Sequence, residues 1–517
     1  MEQSISELNI KEEYERLLKL KSTGEILRMG VLFASEFNNY LFDTGTGKVV
    51  LLDDESYYFL SNLFDVKRSM KEYDEGFLAK FLNELLSENL LQAKEVKTLS
   101  SYDHTERLED ALNTGLSQII LELTGRCNLR CGYCIYNEEC NMNRDFNQND
   151  MTMETAKAAI EYARDHSGED VAITFYGGEP LVRYDLLRWS IEYAQKVLVG
   201  KKITYSFTTN LTLMTEEMAE FFSTVPNLTI LCSIDGPEDV QNSYRKYISG
   251  KGSYQDAYRG LKILCEKIRN SGIDNRVSIN AVFAPPYSYE KLDRINDFFK
   301  SLDFLPPHTD IRIEYVSSGS VNDKEFVDEM KANAKYAHNS DGIINPLWIW
   351  KKKHFLLNSN EEENSIFMSS MRMELAILNK RIVTDKPIDR YSFNGCCVPG
   401  MRRLYVSTEG KFYVCEKIGL SPSIGDIQTG IDIEKVRKFY VDEYIEKSLG
   451  ACKKCWAIHL CKMCYAGCYD ENGINMETKT RLCESMKLEM KYKLSFLHEL
   501  IDMYPDRLEF LKDIVIS

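Results

Sequence analysis

The run Cys127-Asn128-Leu129-Arg130-Cys131-Gly132-Tyr133-Cys134 most tightly limits what this chain can become, because three cysteines fall within eight residues directly after the apolar stretch Ile119 to Leu123. Three thiolates hold three irons of a [4Fe-4S] cluster and leave the fourth iron open to another molecule, much as a catalytic zinc keeps one position free. A zinc knuckle would instead need a fourth ligand close by, and only Cys140 offers itself.

The remaining cysteines point the same way. The segment Met1 to Glu15 is polar and acidic, with no apolar signal-peptide stretch, which reads as cytoplasmic. In a reducing compartment fifteen cysteines indicate metal or redox chemistry rather than a disulfide framework, and they crowd at 127–140 and 396–483. Cys232 and Cys265 sit in apolar segments and read as core residues. The net charge is −15, the basic residues are scattered and no apolar run reaches membrane-spanning length, so neither nucleic acid nor a bilayer is an expected partner. The seven histidines show no metal-ligand spacing.

At 517 residues the chain exceeds one hydrophobic core. Residues 25–95 read as short strands (Ile26 to Ala34, Asn39 to Asp43, Lys48 to Leu52) followed by helices, with Asp53 and Asp54 ahead of the helical pattern Tyr57 to Leu63. Residues 96–115 are polar and read as a linker. From 116 to about 316 strands and helices alternate, as parallel βα units do. The expected strands are Gln118 to Leu123, Val171 to Tyr176, Ile203 to Thr208, Leu228 to Ile234, Val277 to Phe283 and Ile311 to Val316. The fold class is therefore α/β, a partial (β/α)6 TIM-type barrel, with polar motifs after the strand ends where such barrels place their chemistry.

With Tyr133 directly before its third cysteine, the Cys127 to Cys134 run resembles the signature of radical S-adenosylmethionine (SAM) enzymes. That resemblance assigns Cys127, Cys131 and Cys134 to a SAM-binding cluster. Gly177-Gly178-Glu179-Pro180 matches the family's glycine-rich motif for the SAM amino group, where glycines admit a ligand close to the backbone and a carboxylate takes an ammonium hydrogen bond. Thr208-Thr209-Asn210 ends the third strand, with hydroxyl and amide groups suited to ribose or carboxylate. Ser233, Asp235 and Arg245 follow the fourth. In relatives a serine and an arginine so placed contact the ribose and carboxylate, for which a planar guanidinium is well shaped.

Nine further thiols, Cys396, Cys397, Cys415, Cys452, Cys455, Cys461, Cys464, Cys468 and Cys483, lie around Gly410 and beyond. The arrangement resembles the SPASM extension, which carries two auxiliary [4Fe-4S] clusters and so implies three clusters in all. By that resemblance Cys452, Cys455, Cys461 and Cys483 hold the second auxiliary cluster. Cys415, one of Cys396 or Cys397, and Cys464 or Cys468 serve the first. Were only three thiolates to reach it, one iron would be open to a substrate cysteine. A zinc ribbon of Cys452, Cys455, Cys461 and Cys464 is the alternative. Glu416 takes the place of an aspartate proposed as proton acceptor in sulfatase-maturing relatives, and a plain surface carboxylate is its other reading.

The expected organisation is a winged-helix-like peptide-recognition domain (1–100), a radical SAM partial barrel (101–320), a helical bridging region (321–394), a cysteine-rich SPASM domain (395–490) and a C-terminal helix (491–517). The resemblance implies an enzyme that modifies a ribosomally made, cysteine-rich precursor peptide. It would close thioether bonds with a 5′-deoxyadenosyl radical, while the auxiliary clusters give two electrons a route out. The N-terminal domain would take the peptide's leader as an added strand, and a ferredoxin or flavodoxin would supply electrons. The alternatives are carbon-carbon cross-linking, sulfatase maturation, and an iron-sulfur electron carrier without turnover.

Overall fold

The computed structural model describes residues 7–136, 146–307, 309–316, 346–357 and 368–514. Near the N-terminus, β1 (Gly30–Ala34), β2 (Asn39–Asp43) and β3 (Val49–Leu52) form an antiparallel sheet in that order. Alternation decides its two faces. Leu32, Leu41, Val50 and Leu52 face helices Glu7–Thr23, Asp54–Phe64 and Glu75–Ser87. Val31, Phe33, Tyr40, Phe42 and Val49 pack with the long C-terminal helix Met476–Met503 and its neighbours. Asp53 caps its helix by accepting from the Ser56 amide at 2.8 Å. At the far end of the molecule's longest helix, Asp502 accepts from Tyr40 Oη at 2.6 Å, Ser35 Oγ at 3.0 Å and Asn38 Nδ2 at 3.1 Å, so this unit is bolted to the C-terminal segment.

The main sheet begins with six parallel strands: β4 (Gln118–Thr124), β5 (Asp170–Gly177), β6 (Lys202–Thr209), β7 (Leu228–Ser233), β8 (Arg276–Phe283) and β9 (Asp310–Tyr315). Each lies within a residue of the span expected from its apolar pattern. Four short strands from the cysteine-rich region then join the same sheet: β10 (Leu404–Val406), β11 (Lys411–Tyr413), β12 (Gly425–Asp426) and β13 (Gly430–Ile431). The order is β13-β12-β11-β10-β4-β5-β6-β7-β8-β9, an open, partial barrel. β10 runs parallel to β4, with Leu404 opposite Ile119 and Val406 opposite Leu121.

One face of the parallel strands is aliphatic and buried beneath helices, including Ile119, Ile173, Phe175, Phe207, Ile230, Ile279 and Ile313. The other is polar. Gln118, Thr174 and Ser206 form a hydrogen-bonded row across three strands, with Gln118 Nε2 to Thr174 Oγ1 at 2.6 Å and Thr174 to Ser206 at 2.7 Å. A barrel interior is normally filled with branched apolar side chains. Here the concave side is half-exposed and open to a ligand.

Two segments differ from the sequence reading. The polar start of the chain is a 17-residue helix, Glu7–Thr23, because Leu17 and Leu20 anchor it in the N-terminal core. Residues 96–115 are not a free linker: Leu99, Leu108 and Leu112 are buried in the main core. Of the expected bridging region, residues 321–345 and 358–367 lie outside the described residues, as does Cys140. No helix among the described residues is long and apolar enough to cross a membrane. Cys232 and Cys265 are fully buried, as expected for core cysteines.

Candidate functional site

The loop after β4 carries the three cysteines, and its backbone is strapped to the segment around Arg245. The Arg130 amide donates to the Lys246 carbonyl at 2.7 Å and the Gly132 amide to the Tyr244 carbonyl at 3.0 Å. At the loop's root, Arg126 donates to Asp150 at 2.9 and 2.5 Å while Thr124 Oγ1 donates to the same carboxylate at 2.6 Å. The loop thus arrives pre-shaped. Cys127, Cys131 and Cys134 all line a cavity of about 620 Å³. Burial pushes Cys127 up to about 12 and Cys131 up to about 11, with Arg245 opposing the rise at Cys131. Such thiols ionise when a metal supplies the compensating charge.

The glycines of the next motif do something other than expected. A side chain on Gly177, whose φ is +138°, would meet the Thr124 carbonyl oxygen at 2.2 Å, and one on Gly178 would meet the Arg126 carbonyl oxygen at 2.2 Å. Their first task is therefore to let the cysteine loop approach β5, although both also line the cavity. Glu179 is 2 % exposed and accepts from Asn210 N at 2.7 Å, Thr209 Oγ1 at 2.8 Å and Leu181 N at 3.1 Å. Burial nevertheless pushes it up to about 7. Arg245 opposes that rise from a distance, no cation pairs directly with this carboxylate among the described residues, and an ammonium group is the partner its chemistry suits. Pro180, Thr208, Asn210, Ser233 and Arg245 line the same cavity. The residues present thus fit both SAM and a cluster with an open iron.

Asp235 is placed differently. It does not line the cavity; it lies behind the wall, 1 % exposed. Its carboxylate accepts from Arg245 Nε at 3.1 Å, Val282 N at 3.0 Å and the Tyr133 hydroxyl. One buried carboxylate thereby orients both the arginine and the aromatic residue of the cysteine loop. The sequence held Tyr133 and Asp235 in separate motifs and gave no sign of their contact. Also missed were Tyr176, Asn280, Glu314, Lys417 and Arg481, all in the cavity wall. For Asn280 and Glu314 a signal existed, since both are polar residues near the C-terminal ends of parallel strands.

In the second group of thiols burial raises Cys452, Cys455 and Cys461, and charges act among them: Cys461 and Cys483 on Cys452, Cys461 and Cys452 on Cys455, and Cys483 on Cys461. Burial also raises Cys396 and Cys415, with Cys468 and Cys464 acting on Cys396, and Cys464 on Cys415. Cys468 senses Cys483 and Cys461 as well as Cys464, so the two neighbourhoods meet there. Cys396 Sγ lies 3.7 Å from the Met463 carbonyl oxygen and Cys468 Sγ 3.4 Å from that of Cys464. Cys397 instead meets Arg402 Nη1 at 3.4 Å. Among the described residues no three His, Cys, Asp or Glu converge as on a single metal ion. Glu416 is ion-paired to Arg403 at 2.7 Å and does not line the cavity.

Residues 121–299 match the Radical SAM superfamily. The chain is 26% identical over 400 residues to a cysteine-type anaerobic sulfatase-maturating enzyme of Clostridium novyi, covering 74% of this chain and 96% of that one. It is 27% identical over 339 residues to an uncharacterised protein of Methanocaldococcus jannaschii, covering 65% and 98% of the two chains. The solved structure of anSMEcpe with bound AdoMet superposes with a TM-score of 0.51 at 19% identity, covering 77% of this chain and all of that one, which supports the fold. The domain that binds SAM and a [4Fe-4S] cluster is therefore a radical SAM domain. Beyond that domain the chain is similar to the anaerobic sulfatase-maturating enzymes, and its cysteine-rich C-terminal region fits a SPASM-like domain.

Proposed function

We propose that this enzyme closes intramolecular thioether cross-links in a ribosomally made, cysteine-rich peptide. The observation that supports this most directly is that one cavity joins the two cysteine regions. Its wall runs from Cys127, Cys131 and Cys134 to Lys417 and Gly419 beside Cys415, and to Ala466, Gly467 and Tyr469 between and beyond Cys464 and Cys468. A peptide seated there has one residue at the SAM end and another at the auxiliary end. Cys127, Cys131 and Cys134 would hold the cluster, and SAM bound beside it would supply the radical chemistry that removes a hydrogen atom from the peptide. Glu179 takes the SAM ammonium. Arg245, held by Asp235 through Nε, keeps its other nitrogens for the carboxylate, and Ser233 and Thr208 offer hydroxyls to the ribose. In this reading Cys452, Cys455, Cys461 and Cys483 hold one auxiliary cluster and Cys396, Cys415, Cys464 and Cys468 the other. That set of four leaves no iron open there, and Cys397 stays outside it. Glu416, tied to Arg403, acts as an electrostatic brace beside Cys415.

The N-terminal sheet suits the capture of an extended peptide. Both faces of this small sheet are packed, while the outer edge of β3 has no partner strand among the described residues. Leu51 continues the cross-strand row Phe33–Tyr40 to that edge and is 60% exposed. A leader adding as a fourth strand would cover it. Leu51→Asp is expected to weaken leader binding by about 10- to 100-fold, the scale of losing one buried leucine contact. Fluorescence anisotropy of a labelled leader checks this, and equal affinity would remove β3 from the reading.

The decisive assay incubates reduced enzyme and SAM with the small cysteine-rich peptide encoded beside its gene. Loss of two hydrogens per bond, with cysteines that resist alkylation after reduction, is the expected mass-spectrometric result. The same mass loss with alkylatable cysteines would show carbon-carbon cross-linking instead. Sulfatase maturation is the second reading, favoured by the match along nearly the whole Clostridium novyi enzyme, and conversion of a sulfatase-derived peptide would establish it.

A further inference from the structure

Three cationic side chains line the cavity: Arg245, Lys417 and Arg481. Arg245 is held through Nε by Asp235 at 3.1 Å and, in the reading above, is committed to SAM. Lys417 and Arg481 are exposed, and neither makes a side-chain hydrogen bond or ion pair among the described residues, although the chain carries an excess of fifteen acidic charges. The acids of the wall, Glu179 and Glu314, belong to the sheet side. Lys417 follows Cys415, and Arg481 lies three residues after Thr478 on the C-terminal helix, so these two lining residues share one helix face. The cavity is therefore polarised, with a carboxylate for a cation at its SAM end and unmatched cations at its cysteine-rich end.

We propose that Arg481 and Lys417 form a clamp for a carboxylate of the substrate peptide, fixing which residue reaches the SAM end. This rests on the reading that the substrate is a peptide, and it adds a requirement that reading lacks. An acidic group must lie at a set distance from the residue that loses hydrogen. Guanidinium and carboxylate pair in a planar, two-bond geometry that sets orientation as well as affinity, and lysine adds charge without that directionality. Either an Asp or Glu side chain or the peptide's C-terminal carboxylate has the required chemistry.

The test uses enzyme carrying its clusters and SAM, with the peptide encoded beside the gene. The peptide is prepared unaltered, with each Asp or Glu changed to its amide, and with an amidated C-terminus. Arg481→Gln and Lys417→Gln are expected to raise peptide KM about 10- to 100-fold, as loss of a charge-assisted hydrogen bond does, with Arg481→Lys retaining most of the affinity. Arg481→Glu should recover binding with a peptide whose critical acid is replaced by lysine. A matching KM rise confined to one amide variant assigns a side-chain carboxylate, and one confined to the amidated peptide assigns the terminus. Peptide KM unchanged in the Arg481→Gln, Lys417→Gln double variant overturns the clamp, leaving both as solvent-facing cations. Bond type is read in the same samples. Charge-dependent KM with a product other than a thioether keeps the clamp and rejects the thioether reading, whereas thioether with unchanged KM rejects the clamp alone.

Discussion

Replacing Cys127, Cys131 and Cys134 together by alanine is expected to abolish SAM cleavage, lowering 5′-deoxyadenosine formation by about a thousandfold or more, as loss of a whole catalytic unit does. The same variant should lose about four irons per chain. On the proposed reading, iron bound through the eight assigned thiols between Cys396 and Cys483 should persist, because those cysteines lie on other elements. The loop itself should survive, since its shape comes from backbone bonds to Tyr244 and Lys246 and from Arg126 on Asp150, none of which involves a thiol. Iron analysis and cluster absorbance separate this outcome from simple misfolding. Undiminished SAM cleavage would sink the assignment of these three residues.

Asp235→Ala has the second largest expected effect, and it is one the sequence alone did not foresee. Arg245 has a side chain 8% exposed and Asp235 one 2% exposed. Removing one partner of a buried ion pair strands the other charge, at a cost of about 3–5 kcal/mol. The variant also removes the acceptor of the Tyr133 hydroxyl and of the Val282 amide. Denaturation of the folded protein should shift by this amount, and SAM affinity should fall with it as Arg245 loses its orientation. Asp235→Asn, which keeps an acceptor in place, should be milder in stability yet still impaired in SAM binding. Equal stability of wild type and Asp235→Ala would mean that the network carries none of this load.

The parts of the fold legible in the sequence were those that local pattern dictates. β4 to β9 followed from apolar runs alternating with helical ones, and the helix after Asp53 followed from a side chain that caps it. The cysteine loop and Glu179 were legible because their chemistry is rare outside such sites. What was not legible depends on pairing between distant segments. Leu17 and Leu20 turn an acidic start into a packed helix, and nothing nearby in the sequence reveals the core they meet. The segment 96–115 looked polar because its few leucines are spaced widely, yet those leucines are its anchors. Gly177 and Gly178 were read as making room for a ligand and do line the cavity, but their other task, admitting the carbonyls of Thr124 and Arg126, was not legible. Arg481 carried no signal in the sequence, and only the cavity shows that it shares a wall with Lys417.

The pairing of β10 with β4 has a consequence for how this protein is made. The strand from which the SAM-binding loop hangs emerges early from the ribosome, while the strand that covers one of its edges comes in the last quarter of the chain. Until then β4 presents an open edge of unpaired amides and carbonyls, the kind of edge that invites wrong partners. The first site therefore reaches its finished setting only when the cysteine-rich region has folded against it. A ribosome that stops before residue 404 leaves a radical SAM loop without the neighbour that closes its sheet.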